Sequence, residues 1–245
     1  MYKGRVFIRE VVYICGDYID ADIYPVFQKQ GKRRSKCKPT SEIQKKLNQK
    51  NAERALIRLA HNNFNQEDIA LHLTYSGESP DPDRAKKDLA NYINRLKRLR
   101  KLLGLSPLKY ISCTEISGKG RAHHHVIISG GIDRDALEKK WGKGLANSKR
   151  LQFDENGIAG LTRYISKGKL FYRRWNRSRN LVKPEPVVRE STHAELASAV
   201  KAIENKTEYD FFENMWPGWE LISTRLLDNV YNRNSYVQYE MRRRQ

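Results

Sequence analysis

Cysteine is scarce in this sequence, long apolar runs are missing, and acidic residues fall well short of basic ones. The three cysteines, Cys15, Cys37 and Cys113, are odd in number and far apart. They fit neither a disulfide framework nor a CxxC metal site, so a reducing, cytoplasmic setting is expected. No stretch approaches the roughly 20 apolar residues of a membrane span. Met1–Glu10 is charged from Lys3 onward and lacks the apolar core of a signal peptide. There is no GxxxxGK[ST] segment, which excludes a fused helicase motor of that type, and no internal repeat or low-complexity tract.

What is abundant is positive charge. Against 28 Asp and Glu stand 47 Lys and Arg, a formal charge of +19 in 245 residues. An excess of that size repels itself in a compact state and points to a polyanionic partner, nucleic acid first and an anionic membrane surface second. With 39% hydrophobic and 10% aromatic residues the chain still has enough apolar mass to build a core.

Local patterning predicts an α+β protein. Val6–Cys15 and Tyr18–Phe27 read as a hairpin around Gly16-Asp17. A basic connector, 29–38, leads to a helix that opens at Ser41, with Gln44 at capping-box spacing, and runs to about Ala60. Ile69–Tyr75 alternates as a strand, and 82–103 repeats Leu89, Tyr92, Ile93, Leu96, Leu99 and Leu103 on one helical face before Gly104. Leu108–Glu115 and His123–Ser129 read as strands joined by a glycine-rich loop, Asp133 caps a helix to about Trp141, and Lys149–Phe153 is a short strand. From Ile69 to Phe153 the order is βαββαβ, a ferredoxin-like core with an antiparallel sheet open on one face. Gly157–Lys167 reads as a further helix stopped by Gly168; Thr192–Glu204 is a helix, and 221–231 with 236–243 a last hairpin. Three segments follow: 1–65 with the hairpin and a basic helix packed on the core, 66–170 as the core, and 171–245 as a basic, aromatic extension.

Two constellations carry chemistry. In Arg121-Ala122-His123-His124-His125 the strand pleat sends His123 and His125 to one face and His124 to the other. If the intervening loop closes a hairpin, Glu115 lies beside the histidine pair and adds a carboxylate. Two nitrogens and one oxygen with open positions suit Mn²⁺ and tolerate Mg²⁺. His124 is assigned to packing or solvent, and His61, His72 and His193, without a partner pattern, are left structural. The second constellation is on the Gly157–Lys167 helix. Tyr164 lies roughly 100° from the centre of the Ile158, Leu161, Ile165 stripe, with Lys167 about 60° beyond it. A free phenol, with a pKa of about 10, is a weak nucleophile at neutral pH. A nearby cation and the Lys167 ammonium favour the phenolate, which can attack a phosphate to give a covalent phosphotyrosine and a free hydroxyl.

Together these residues resemble the HUH endonuclease superfamily, in particular replication-associated proteins of bacterial phages and plasmids. Ala70-Leu71-His72-Leu73-Thr74-Tyr75 resembles the family's first motif. His123-His124-His125 matches its histidine–hydrophobe–histidine motif except at the middle position, and Tyr164-Ile165-Ser166-Lys167 matches its tyrosine motif. The resemblance covers approximately Ile69 to Lys169. It implies a HUH endonuclease fold and a rolling-circle replication initiator that nicks and rejoins single-stranded DNA. The implied intermediate is a 5′-phosphotyrosine, and the released 3′-hydroxyl primes synthesis. The implied partners are origin DNA, single-stranded or in a hairpin, with a host helicase and polymerase, and the implied location is the bacterial host cytoplasm. Tyr172, eight residues beyond Tyr164 and past Gly168, is too distant for a tyrosine pair, so a single nucleophile is expected.

Basic residues near the site mark a path for the polymer. Arg121 and Arg163 are placed to hold the scissile phosphate. Lys169, Arg173, Arg174, Arg177 and Arg179, interleaved with Phe171, Tyr172 and Trp175, combine phosphate contacts with rings for base stacking. Competing readings remain: a single-tyrosine transposase of the same chemistry, a relaxase (disfavoured because the tyrosine follows the histidines), an Fe²⁺ oxygenase with a two-histidine-one-carboxylate set, and a non-catalytic nucleic-acid-binding module.

Overall fold

The computed structural model describes residues 6–27, 42–153, 158, 175–229 and 234–244. Within them the chain is a mixed α+β protein with two antiparallel sheets of five strands each. It divides into two compact units. One joins residues 1–52 to 184–245, and the other is the continuous stretch 53–183.

The continuous unit holds the βαββαβ order. Its elements are β3 (Ile69–Thr74), α2 (Pro82–Leu102), β4 (Tyr110–Ile116), β5 (Ala122–Ile128), α3 (Arg134–Lys139) and β6 (Ala146–Arg150), with a two-residue edge strand β7 (Asn176–Arg177). The strand order is β6-β3-β5-β4-β7, with every neighbour antiparallel. The crossover through α2 leaves one strand's width between β3 and β4, and the β4–β5 hairpin fills it. This is the ferredoxin-like arrangement.

Helix starts follow the sequence signals. Asp81 accepts from the backbone N–H groups of Asp83 and Arg84, with Pro82 at the first helical position, and Asp133 accepts from Ala136 N–H. α2 and α3 cover one face of the sheet. Leu71, Leu73, Val126 and Ile128 from the strands meet Leu89, Tyr92, Ile93 and Leu96 of α2, Leu137 of α3, and Trp141. The Tyr92 hydroxyl donates to the Leu137 carbonyl, and Arg95 donates to the carbonyls of Lys140 and Trp141, so α2 holds the end of α3 directly. β6 begins at Ala146 rather than at Lys149 because it continues a ladder with β3 that pairs Ala146 with Leu73. Just before it, Gly144 passes so close to β3 that a Cβ would sit 2.5 Å from Thr74 O and Ser76 N. Only glycine fits that approach.

The other sheet face is not open throughout. The last turns of α1 (Glu42–His61) lay Leu56, Leu59 and Ala60 over Ile111, Cys113 and Ile127, joined by Phe64, Leu151, Ile158 and Leu181. The sequence pattern of the sheet alone could not register this cover, since it comes from a helix outside the βαββαβ run.

The second unit places β1 (Val6–Cys15) and β2 (Tyr18–Phe27) in a sheet of order β8-β1-β2-β10-β9, with β8 (Val187–Ser191), β9 (Trp219–Asn229) and β10 (Asn234–Arg243). The expected terminal hairpins both form. Gly16 has φ +62°, the angle that a two-residue primed turn needs at its first position. The first hairpin thus joins a sheet with the C-terminal strands, so this unit is built from both ends of the chain. Helices α4 (His193–Glu204), opened by a Thr192/Glu195 capping box, and α5 (Glu208–Met215), which the sequence pattern did not reveal, pack Leu196, Ala199 and Phe212 on it. A buried carboxylate, Glu10, pairs with Arg189 and accepts from the Tyr239 hydroxyl at 2.6 Å, which ties β1 to β8 and β10.

Trp141 is 1% exposed, fills the space between α2 and β3, and donates its indole N–H to Thr74 O at 2.7 Å. Trp141→Ala is expected to cost about 3–5 kcal/mol in urea unfolding, because it opens a cavity and orphans a carbonyl.

Candidate metal centre

The register of three strands builds this site. β3 and β5 pair His72 with His125 and Thr74 with His123, while β5 and β4 pair His123 with Glu115 and His125 with Cys113. Cross-strand partners share a face, so His72, His123, His125 and Glu115 all project from the face opposite α2 and α3. They stand beyond the patch covered by α1. His123, His125 and Glu115 keep 14–16% of their side-chain surface exposed, and His72 is exposed.

The three imidazoles each offer a nitrogen within 4.8 Å of the others. The Glu115 carboxylate lies 3.3 Å from His123 Nε2 and 3.9 Å from His125 Nε2. Two nitrogens bound to one ion at about 2.1 Å each lie at most about 4.2 Å apart, so small side-chain rotations bring the set into coordination. His123 Nδ1 lies 3.4 Å from the Arg121 carbonyl, a long contact that favours the tautomer leaving Nε2 free to ligate. Burial and the neighbouring His72 and His123 push the His125 pKa down to about 3, and burial with His123 also lowers His72. Both are therefore neutral at physiological pH, as ligation requires. The donor set fits a divalent cation.

His72 was not among the residues the sequence singled out as ligands; it was left structural. The alternation Leu71, His72, Leu73 already put it on the face opposite the core. Its place beside His125, however, depends on the β3–β5 register, and the two residues are 53 positions apart. The ring lies 4.7 Å from His125 in a stack and 5.5 Å from His123 edge-on.

His124 points into the core, as assigned, and is fully buried. Its Nδ1 is 2.8 Å from Thr114 Oγ1 and its Nε2 is 3.0 Å from the Tyr75 hydroxyl. The Tyr75 hydroxyl is also bonded to Asp88, which pairs with Lys143 at 3.1 Å and Arg84 at 3.4 Å. One proton arrangement satisfies every member: Thr114 donates to Nδ1, Nε2–H donates to Tyr75, and Tyr75 donates to the carboxylate. Burial pushes His124 down to about 4, in keeping with a neutral ring. A polar residue is thus tolerated between the two ligand histidines because its partners descend from α2, β3 and β4.

Of the other expected site residues, Arg121 is exposed, and its guanidinium donates to the carbonyls of Tyr75 and Gly77, joining the β4–β5 loop to the loop after β3. Trp175 packs at the edge of the α1-covered cluster, with Arg177 over its ring at 6.0 Å. Arg163, Tyr164, Lys167, Lys169, Tyr172, Arg173 and Arg174, and the helix expected over 157–167 apart from Ile158, lie outside the described residues. Ile158 itself is 1% exposed and packed with Ile111, Cys113 and Ile127.

The fold and the cluster define a ferredoxin-like domain with a solvent-accessible histidine–carboxylate site on one sheet face. Residues 68–169, which contain the whole cluster, match the model of a family described as Replication-associated protein, of the ORF2 type. Over that stretch the chain is similar to replication-associated proteins, and the match supports a role in DNA replication. No curated protein and no solved structure matches the chain. No described helix is long and apolar enough to cross a membrane.

Because His72 supplies one of three nitrogens, His72→Ala is expected to weaken Mn²⁺ binding by at least about tenfold. Isothermal titration calorimetry checks this, and His193→Ala, in the other unit, should bind as the unaltered protein does.

Proposed function

We propose that the protein is a rolling-circle replication initiator of the HUH endonuclease type, which cleaves and rejoins single-stranded DNA through Tyr164. The observation that carries the reading is the histidine–carboxylate cluster within the replication-associated match. A second observation supports the part of Tyr164. Ile158, six residues before it, and Trp175, eleven after it, both pack against the sheet face that carries the cluster. The tyrosine segment is therefore tethered at both ends to that face.

His72, His123, His125 and Glu115 would hold a Mn²⁺ or Mg²⁺ ion. Such a cation supplies Lewis-acid polarisation of the scissile phosphate. The chain's own residues do the rest. The Tyr164 phenol gives up its proton, and its oxygen attacks phosphorus in line. The bond from phosphorus to the 3′-oxygen breaks, leaving a 5′-phosphotyrosine and a 3′-oxygen that takes a proton. The Lys167 ammonium, one helical turn on, offsets the charge gathering on the phosphate. Arg121 and Arg163 are proposed to orient the strand. Because the ester retains the energy of the broken bond, attack by a 3′-hydroxyl reverses the step and allows rejoining. Origin DNA, with a helicase and a polymerase of the host, completes the proposed setting in a bacterial cytoplasm.

Incubation with end-labelled single-stranded DNA carrying the origin should give a denaturant-stable protein–DNA adduct in Mn²⁺ and none in chelator. Tyr164→Phe should abolish the adduct while leaving DNA retention intact. An adduct formed by Tyr164→Phe, or one unaffected by chelator, would overturn the reading.

A further inference from the structure

The widest groove among the described residues is not at the histidine cluster. It lies along the edge of the same sheet, between α2 and the strands β4 and β7. Its larger part, about 890 Å³, is lined by Lys97, Lys101, Tyr110, Arg177 and Arg179 among others. A second compartment of about 220 Å³ shares Lys97, Tyr110 and Arg177 and reaches Lys86 and Thr114. A third, about 610 Å³, shares Arg177 and Arg179 and ends at Trp175 and Lys183. Shared walls make the three one continuous groove.

Its chemistry is one-sided. No carboxylate is among the described residues lining any of the three compartments. On α2 the positions 86, 90, 97 and 101 recur at helical spacing, so the lysines form a stripe roughly 22 Å long facing the sheet edge. Ala90, Ser112 and Thr114 keep the floor low. Lys97 stands over the Tyr110 ring at 5.6 Å and Arg177 over the Trp175 ring at 6.0 Å, which interleaves cations with aromatic faces. Lys97, Lys101, Arg177 and Arg179 line it together. A row of cations that follows a groove and alternates with rings suits a single polynucleotide strand, phosphates on the cations and bases on the rings. Two short basic patterns that look unrelated in sequence, one on α2 and one after Trp175, meet here.

We infer that this groove is a second binding track for single-stranded DNA, separate from the metal centre, with Lys97, Lys101, Arg177 and Arg179 as its phosphate contacts. The identity of the polymer rests on the replication reading; the groove's preference for a single-stranded polyanion does not.

The test reads binding alone. Anisotropy of a labelled oligothymidylate is followed against NaCl with metal-free protein in chelator. One variant carries Lys101→Gln, Arg177→Gln and Arg179→Gln. A charge-matched control carries Arg134→Gln, Lys139→Gln and Lys140→Gln on and beside α3. Removing three phosphate contacts should flatten the log Kd against log salt slope by about 2, at roughly 0.7 per contact, in the groove variant only. Equal slopes in the two variants, or a change seen with duplex but not with the single strand, would overturn the inference. Since no cleavage is measured, the groove can fail while the Tyr164 adduct forms, and can hold while it does not.

Discussion

The site depends on one constraint, the pairing register of β3, β5 and β4. A strand has a side-chain period of two, so slipping β5 by one residue would send His123 and His125 into the core and His124 to the surface. What locks the register is the apolar face. Leu71 and Leu73 on β3, with Val126 and Ile128 on β5, must meet α2, and each such side chain fully buried is worth about 1.5–3 kcal/mol. The histidines are then aligned as a by-product of core packing. Their mutual repulsion when charged, and their desolvation, are tolerated because the His125 ring is held neutral with its pKa pushed down to about 3.

The polar chain through His124 shows the same economy on the reverse side of the sheet. A histidine between two metal-ligand positions would leave two unsatisfied nitrogens if it merely packed. Thr114 and Tyr75 flank it on the neighbouring strands, and Asp88 of α2 ends the chain of donors in a carboxylate neutralised by Lys143 and Arg84. The result links α2 to the back of β5 between the two ligand histidines. Tyr75 and His124 are 49 residues apart, and no local pattern could have paired them.

Much of the fold was legible because it is written in short-range signals: the caps at Asp81 and Asp133, the 3.6-residue stripe of α2, and the alternation of β3. Glu115, His123 and His125 were legible for a similar reason, since a seven-residue strand, a tight loop and a second strand fix their neighbourhood. What escaped was long-range. His72 needed the β3–β5 ladder. The cover by α1 needed Leu56 and Leu59 to find Ile111 and Ile127. The second sheet needed β1 to meet β8, through Glu10 and Arg189 from opposite ends of the chain. α5 was missed because its eight residues, Glu208–Met215, span too few turns for a periodic stripe to stand out.

A cation-binding face and a tyrosine whose flanks, Ile158 and Trp175, are fastened to that same face are the two halves of the proposed chemistry. The central claim is that the phenol of Tyr164 comes within a phosphate's reach of the ion. The direct measurement is fluorine NMR of protein carrying 3-fluorotyrosine at position 164, compared in Mg²⁺ and in paramagnetic Mn²⁺. The predicted result is a sharp resonance with Mg²⁺ that Mn²⁺ broadens beyond detection. A resonance that stays sharp with Mn²⁺ bound would place the ring far from the metal and contradict the claim.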